Sequence, residues 1–412
     1  MFRDFCSVCK GEQNEFVGMQ FINGLPVISF PRGYRLSEND EEVRKDILRL
    51  LSTIQKFSDK NAGYSNERKG NEIVSFPLLS YQYVIRDFLA NGYYIEREDL
   101  YKKATKGKIN WKRTIQQEKT QVDDGNVVYL DFVVKTSRIN QNTLLSKIHE
   151  YCVYESFRNV GWLFVAGNIM PRKPQLKLDK KLFISTLQEA LSNTFNSTKK
   201  MLFTSMINIL EYSNESISEQ TTAKFGTFNF EYIWEKMIDF VFGEDNKDIY
   251  FPHARWHIIQ ANDKEVESSA LLPDTIMLFD EKIYILDAKY YKYGITSSPN
   301  HLPNSSSIHK QITYGEYINM KFNFEPNDIY NAFIMPFGKE SEDEDNYKFI
   351  SVGTADWKEY NESTLNFNYV LGVLLDVKHL ITTYSKLNLS EIEIISSLID
   401  ESLKVYRKRQ GE

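Results

Sequence analysis

Residues Pro273–Lys289 read PDTIMLFDEKIYILDAK. Two apolar runs, Thr275–Phe279 and Ile283–Leu286, flank the polar triplet Asp280-Glu281-Lys282. Rich in Ile, Leu, Phe and Tyr and bounded by turn formers, they predict the two strands of a β-hairpin. Asp274 opens the first strand, and Asp287 and Lys289 close the second. Positions 287 and 289 are two apart, so on a strand both side chains leave the same face. A hairpin returns its ends to one edge, which places Asp274 beside Asp287. Two carboxylates and an ammonium then converge where an apolar sheet meets water.

Such a set suits Mg²⁺, a hard cation that takes one or two carboxylates together with water and substrate phosphate. A lysine beside the metal's water would orient it, or deprotonate it where the setting destabilises the ammonium. The letters alone are weak evidence, because most Asp-x-Lys triplets are solvated strand ends. The strand context carries more weight. The order Pro-Asp, a twelve-residue spacer and Asp-x-Lys resembles the signature of the PD-(D/E)xK nucleases.

The chain has 412 residues, enough for two or three domains with cores of their own. Hydrophobic content of 42% and aromatic content of 14% describe a globular protein. No apolar run reaches the roughly 18 residues of a membrane-spanning helix, so no membrane association is expected. The start, MFRDFCSVCKGEQ, lacks the apolar core of a secretion signal. Three cysteines, an odd number, point to a reducing compartment, and the cytoplasm is the expected location. Cys6-x-x-Cys9 and His149-x-x-Cys152 have zinc-like spacing but lie far apart in sequence, and ordinary buried thiols are the better reading. A net charge of −6 excludes a protein that coats nucleic acid over its whole surface, while a local basic patch would suffice for contact.

In the N-terminal part, FVGMQFINGLPVISFP predicts a hairpin turning at Asn23-Gly24. A helix capped within Ser37–Asp40 runs to about Gln55 on a stripe of Val43, Ile47, Leu50, Leu51 and Ile54. Lys60–Gly70 reads as a loop, and a second helix spans about Leu78–Ala90. The stretch from Lys102 to Lys119, KKATKGKINWKRTIQQEK, holds seven basic residues and one acid, Glu118. A short helix after Asn110 would carry Trp111, Lys112 and Arg113. An Asp123-Asp124-Gly125 turn and a strand at Val127–Val134 follow. A basic helix before a hairpin is the layout of a winged helix, so Lys108, Trp111, Lys112 and Arg113 are candidate DNA contacts. A solvated basic face with Trp111 in the core is the plainer alternative. Further helices are expected at Asn142–Arg158, Asp179–Asn193 and Thr198–Tyr212. The polar stretch NESISEQTT, Asn214–Thr222, is the expected domain boundary, and ESEDEDN, Glu340–Asn346, an acidic loop.

After that boundary FEYIWEKMIDFVFG predicts an amphipathic helix with Glu231 and Glu235 on one face. A strand at Arg255–Gln260, the central hairpin, a helix beginning in Ser307–Asn319 and a strand at Tyr330–Phe337 complete the order αβββαβ. Lys310 and Gln311 open the later helix and could face a phosphate. The expected fold is mixed α/β (α+β). A mixed sheet flanked by helices forms the C-terminal nuclease core, behind an N-terminal α+β domain with winged-helix character. The expected division is an N-terminal domain over 1–175, a helical connector over 176–220 and a nuclease domain over 221–412.

Three stretches together, GKINWKRTI at Gly107–Ile115, PD…ILDAKYY at Pro273–Tyr291 and IHKQITYGEY at Ile308–Tyr317, resemble the LlaJI-type restriction endonucleases, whose nuclease subunits are similar to McrC. The resemblance implies a Mg²⁺-dependent endonuclease, with Mn²⁺ as a possible substitute, acting on foreign double-stranded DNA. It implies that Asp274, Asp287 and the Ala288 carbonyl bind metal and that Lys289 positions water. Glu235, with Glu231 second, would supply a further acid, and Gln311 would support Lys289 or phosphate. It also implies a McrB-like AAA+ GTPase partner. The sequence has no G-x-x-x-x-G-K-[ST] loop, so GTP would be bound by the partner and no nucleotide by this chain. Under this reading the N-terminal half docks on the motor or contacts DNA, within a homo- or hetero-oligomer. Two alternatives stay open: a stand-alone type II restriction endonuclease, and a non-catalytic DNA-binding or assembly subunit.

Overall fold

The computed structural model describes residues 2–10, 15–22, 25–57, 76–123, 126–140, 143–165, 167, 169–175, 178–212, 224–259, 264–338, 348–357 and 365–410. The turn expected at Asn23-Gly24, the loop Lys60–Gly70, most of the Asp123-Asp124-Gly125 turn, the boundary stretch from Asn214 and the acidic loop Glu340–Asn346 lie outside them. Contacts divide the chain into two units, one of Met1–Ser75 with Thr222–Glu412 and one of Phe76–Thr221.

The first unit opens with strands β1 (Cys6–Val8), β2 (Val17–Ile22) and β3 (Leu25–Phe30). β2 and β3 form the predicted antiparallel hairpin, its ladder ending with Ile22 opposite Leu25. β1 lies parallel to β3 on the other side. Helix α1 (Asp40–Phe57) follows. The Asn39 side chain accepts the Glu41 amide at 2.9 Å, which satisfies one of the first-turn donors. The stripe Val43, Ile47, Leu50, Leu51 and Ile54 is buried as its spacing predicts.

The second unit begins with α2 (Leu78–Asn91), β4 (Glu96–Ala104), β5 (Lys108–Ile109) and α3 (Trp111–Gln117). The strands β6 (Thr120–Asp123), β7 (Asn126–Tyr129) and β8 (Phe132–Asn140) come next. β4, β8 and β5 make an antiparallel sheet, while β6 and β7 form a separate ribbon. Asn110 caps α3 by accepting the Arg113 amide at 3.1 Å. The unit then closes with α4 (Leu144–Ser156), α5 (Trp162–Phe164), α6 (Lys180–Ser192) and α7 (Ser197–Tyr212). α7 packs on α2, α4 and α6. The segment expected to be a connector is therefore part of this unit's core, with Phe183, Leu187, Phe203, Met206 and Ile209 all buried.

The first unit resumes with β9 (Lys224–Thr227), which pairs antiparallel with β2. This pairing corrects the expected division at residue 175. β2 has an open edge until β9 arrives, and its backbone donors and acceptors require that partner. The two strands meet at Gly18 and Gly226, where a Cβ on either would lie within 2.5 Å of the other strand's backbone. Helix α8 (Phe230–Phe242) buries Ile233, Trp234, Met237 and Val241. The strand expected at Arg255–Gln260 forms as β10 (Arg255–Ile258), but it pairs with β11 (Lys264–Glu267) in a ribbon outside the central sheet. Every position of both strands is exposed, so neither presents the apolar face that a sheet interior requires.

The central hairpin is β12 (Thr275–Phe279) and β13 (Lys282–Ala288), antiparallel, with Phe279 opposite Lys282. Its two-residue turn puts Asp280 and Glu281 at φ 51° and 61°, the left-handed geometry that suits the twist of paired strands. After α9 (Tyr293–Thr296) and α10 (Ser305–Lys321), β14 (Ile329–Phe337) runs parallel to β13 and is buried at all nine positions. β15 (Phe349–Ala355) and β16 (Val370–Asp376) complete a sheet of order β12-β13-β14-β16-β15. β16 is parallel to β14 and antiparallel to β15, so the sheet is mixed. Ile283 and Ile285 of β13 pack with Tyr314 and Ile318 of α10 on one face. The chain ends with α11 (Val377–Thr383) and α12 (Leu389–Gln410). Each large apolar side chain so buried contributes about 1.5–3 kcal/mol.

Candidate active site

Thr275 pairs with Leu286, so Asp274 and Asp287 arrive together at one end of the hairpin. The Asp274 carboxylate accepts the Ala288 amide at 2.9 Å. Its own carbonyl accepts the Lys247 ammonium at 2.5 Å, and that ammonium also meets Asp239 of α8 at 2.6 Å. Asp287 is 5% exposed, and Lys289 Nζ lies 2.5 Å from its Oδ2. By strand alternation Asp287 leaves the same face as Ile283 and Ile285, toward α10.

The electrostatics follow from this crowding. Burial, then the charge of Asp287 and a hydrogen bond shared with it, then the charge of Glu235, push the Asp274 carboxyl up to about 8. The Ala288 amide pulls the other way. For Lys289 burial acts downward, but the Asp287 and Asp274 carboxylates outweigh it and hold the ammonium above its usual range. The sequence allowed Lys289 either to orient or to deprotonate water; this setting keeps it charged and favours the first.

Glu235 is half-buried and Glu231 exposed on α8, and both line a pocket of about 620 Å³ with Ala288, Lys289 and Lys292. Glu235 is the one whose charge reaches Asp274. Among the described residues no group of three or more His, Cys, Asp or Glu side chains is close enough to hold a metal together. Asp274 and Asp287 form the close carboxylate pair, and Glu235 stands outside it. Two carboxylates brought side by side, that of Asp287 buried, are oxygen donors of the kind a hard divalent cation such as Mg²⁺ takes.

Gln311 is 1% exposed and donates from Nε2 to the Ile285 carbonyl at 2.7 Å. Its direct contact is with β13, two residues before Asp287. Lys310 is exposed, with Nζ 5.5 Å from the Tyr314 ring centre. In the second unit, Lys108, Trp111, Lys112 and Arg113 are all exposed, and Trp111 at 54% is no core residue. Arg113 stacks 3.8 Å over the Tyr101 ring.

Three residues at the site were not singled out from sequence. Arg32, just past β3, and Tyr290 line the same pocket as Lys289. Tyr314, buried on α10, has its hydroxyl titration raised by burial, opposed by Lys310 and reinforced by Asp287 and Asp274. Tyr290 follows the Asp-x-Lys triplet directly, which was a legible signal; Arg32 had none.

The profile of the LlaJI restriction endonucleases matches residues 16–408. The chain belongs to the LlaJI restriction endonuclease family. As a LlaJI-family member it is a restriction nuclease by class. It is similar to the type II restriction enzyme BsuMI component YdjA of Bacillus subtilis (strain 168), with 24% identity over 345 residues, 78% of this chain and 72% of the relative. A solved structure described as a half-complex from a tetradecameric assembly of Thermococcus gammatolerans McrB AAA+ hexamers with bound McrC aligns over 93% of this LlaJI-family chain and 82% of its own. The identity there is 14% and the TM-score 0.39. Among the described residues no helix is long and apolar enough to cross a membrane.

Proposed function

We propose that this chain is the DNA-cleaving component of a restriction system and hydrolyses phosphodiester bonds of foreign double-stranded DNA with Mg²⁺. The observation that carries this is the placing of Asp274 and Asp287 side by side at one end of the hairpin, with Lys289 Nζ 2.5 Å from Asp287. Asp274, Asp287 and the Ala288 carbonyl would hold the metal, and Mn²⁺ could replace it. When bound, the metal would activate water and neutralise charge on the phosphodiester. The Lys289 ammonium orients the attacking water by donating to it. Gln311 holds β13 in register beneath the site, and Glu235 adds negative charge at its rim.

The BsuMI relative is described as a component of its enzyme. This chain, for its part, carries no phosphate-binding loop of the G-x-x-x-x-G-K-[ST] type. Both support a division of labour, in which a McrB-like AAA+ GTPase is the partner that spends GTP. The exposed stretch around Lys108, Trp111, Lys112 and Arg113 supports DNA contact by the second unit. It equally favours the second reading, a stand-alone type II enzyme that reads its own site.

The test is cleavage of phage DNA by the purified chain with Mg²⁺, with and without the product of the neighbouring gene and GTP. Cutting only with neighbour and GTP is the expected result. Cutting by the chain alone would favour the stand-alone enzyme. An Asp287→Ala chain that still cut would remove the site assignment.

A further inference from the structure

Arg32 reaches the candidate site from the N-terminal sheet. It follows Pro31 and precedes Gly33, whose φ of 76° turns the backbone sharply. That turn is seated on the end of β14: a Cβ on Gly338 would lie 2.2 Å from the Gly33 carbonyl oxygen, and one on Gly33 3.0 Å from the Phe337 carbonyl carbon. Seated there, the Arg32 amide donates to Tyr290 Oη at 3.0 Å, and its Nη1 donates to the Tyr290 carbonyl at 3.2 Å. The guanidinium stacks 4.3 Å from the Tyr290 ring centre. Phe230 and Trp234 pack their rings on Tyr290 in turn. Tyr290 is next to Lys289, so the guanidinium is held one residue from the catalytic lysine.

The charge balance of the pocket gives this placement a purpose. Its cations are Arg32, Lys289 and Lys292, set against Glu15, Glu231 and Glu235. Lys289 is engaged by Asp287. An anionic strand approaching these carboxylates therefore depends on the other two cations. The hydrogen bond to Tyr290 engages one of the five N–H donors of the guanidinium fork, the group best matched to phosphate oxygens. Among the described residues Arg32 Nε is buried with no hydrogen-bond partner.

We propose that Arg32 binds a backbone phosphate of the strand being cut, so that the N-terminal sheet supplies part of the nuclease site; this rests on the nuclease reading above. Tyr290 is then the positioning residue that aims the guanidinium. Substrate binding and cleavage share one pocket built from segments 258 residues apart in the chain.

The test measures binding of a short duplex DNA by the full-length chain, with Ca²⁺ replacing Mg²⁺, over a series of salt concentrations. Loss of one phosphate contact lowers the slope of log K against log salt by about 0.9. Arg32→Gln, which removes the charge but keeps an amide donor, should lower the slope by that amount and weaken binding about tenfold at low salt. Arg32→Lys should keep the wild-type slope. Wild-type slope in Arg32→Gln, with only a lowered melting temperature, would show that Arg32 merely braces Tyr290 and would overturn the proposal. So would the absence of any wild-type binding at low salt. Asp287→Ala is assayed for cutting in parallel. If it still cuts, the nuclease reading fails on its own; if it is dead while the Arg32→Gln slope is unchanged, only the Arg32 proposal fails.

Discussion

The Asp274 carboxylate accepts the backbone N–H of Ala288 at 2.9 Å, which ties the residue before β12 to the last residue of β13. The same carboxyl is pushed up to about 8, by burial first and by Asp287 and Glu235 after it. A carboxyl whose folded value lies above its unfolded one favours the folded state at low pH. That contribution is complete below the unfolded value and is lost as pH rises through the folded one. Without metal, the chain should lose thermal stability from about pH 4 to pH 8, and Asp274→Asn should lose less. Melting curves in EDTA across that range measure the difference; parallel curves would show that the repulsion is absent.

Mg²⁺ should reverse this loss. A ligand that binds only the folded state stabilises it by about 2.7 kcal/mol at one hundred times its dissociation constant. Displacement of a proton from Asp274 should accompany binding. Calorimetry in two buffers of different ionisation enthalpy reads the proton, and Asp287→Ala should abolish both heat and melting shift.

Lys289→Ala should slow cleavage by about 10²–10³-fold, the range for loss of one positioned hydrogen-bond donor. Since its neighbours keep the ammonium charged, Lys289→Arg should retain more activity than Lys289→Ala. Equal loss in both variants would point to a lysine that must deprotonate.

Gln311→Leu would leave the Ile285 carbonyl without its side-chain donor, at a cost of about 1–3 kcal/mol. Urea unfolding should show this, with activity falling only as far as the folded fraction. A stable but inactive Gln311→Leu chain would instead place Gln311 on the substrate.

Trp111→Ala removes an exposed ring and should change stability by no more than about 0.5 kcal/mol. Combined with Lys112→Ala it should weaken duplex binding and flatten its salt dependence. Unaltered binding would leave the second unit to protein contacts.

The hairpin at Pro273–Lys289 was legible because its signals are local: two short apolar runs, a polar turn between them, and acids at fixed offsets. The same holds for α1, whose stripe and cap lie within a few turns of each other. What escaped was long-range. β10 had strand composition, yet its pairing with β11 rather than β12 depends on which strand offers a buried face. Nothing within residues 17–22 states that β2 will pair with β9. Arg32 shares that blindness, because its chemistry is set by Tyr290 and not by Pro31 or Gly33. Gln311 was expected to support Lys289 or phosphate, but its hydrogen bond runs to β13, and donor direction is a property of packing.

The pairing of β2 with β9 also governs when the site can exist. A ribosome adding about 5–20 residues per second would need on the order of 10–50 s between Arg32 and Tyr290. All of Phe76–Thr221 emerges in that interval and can fold as its own unit. Until then the nascent β1–β3 sheet has an unpaired edge, a natural substrate for chaperones. The half-made protein holds neither the carboxylates nor the arginine in place, so the proposed activity cannot precede synthesis of the hairpin and of β14 beside it.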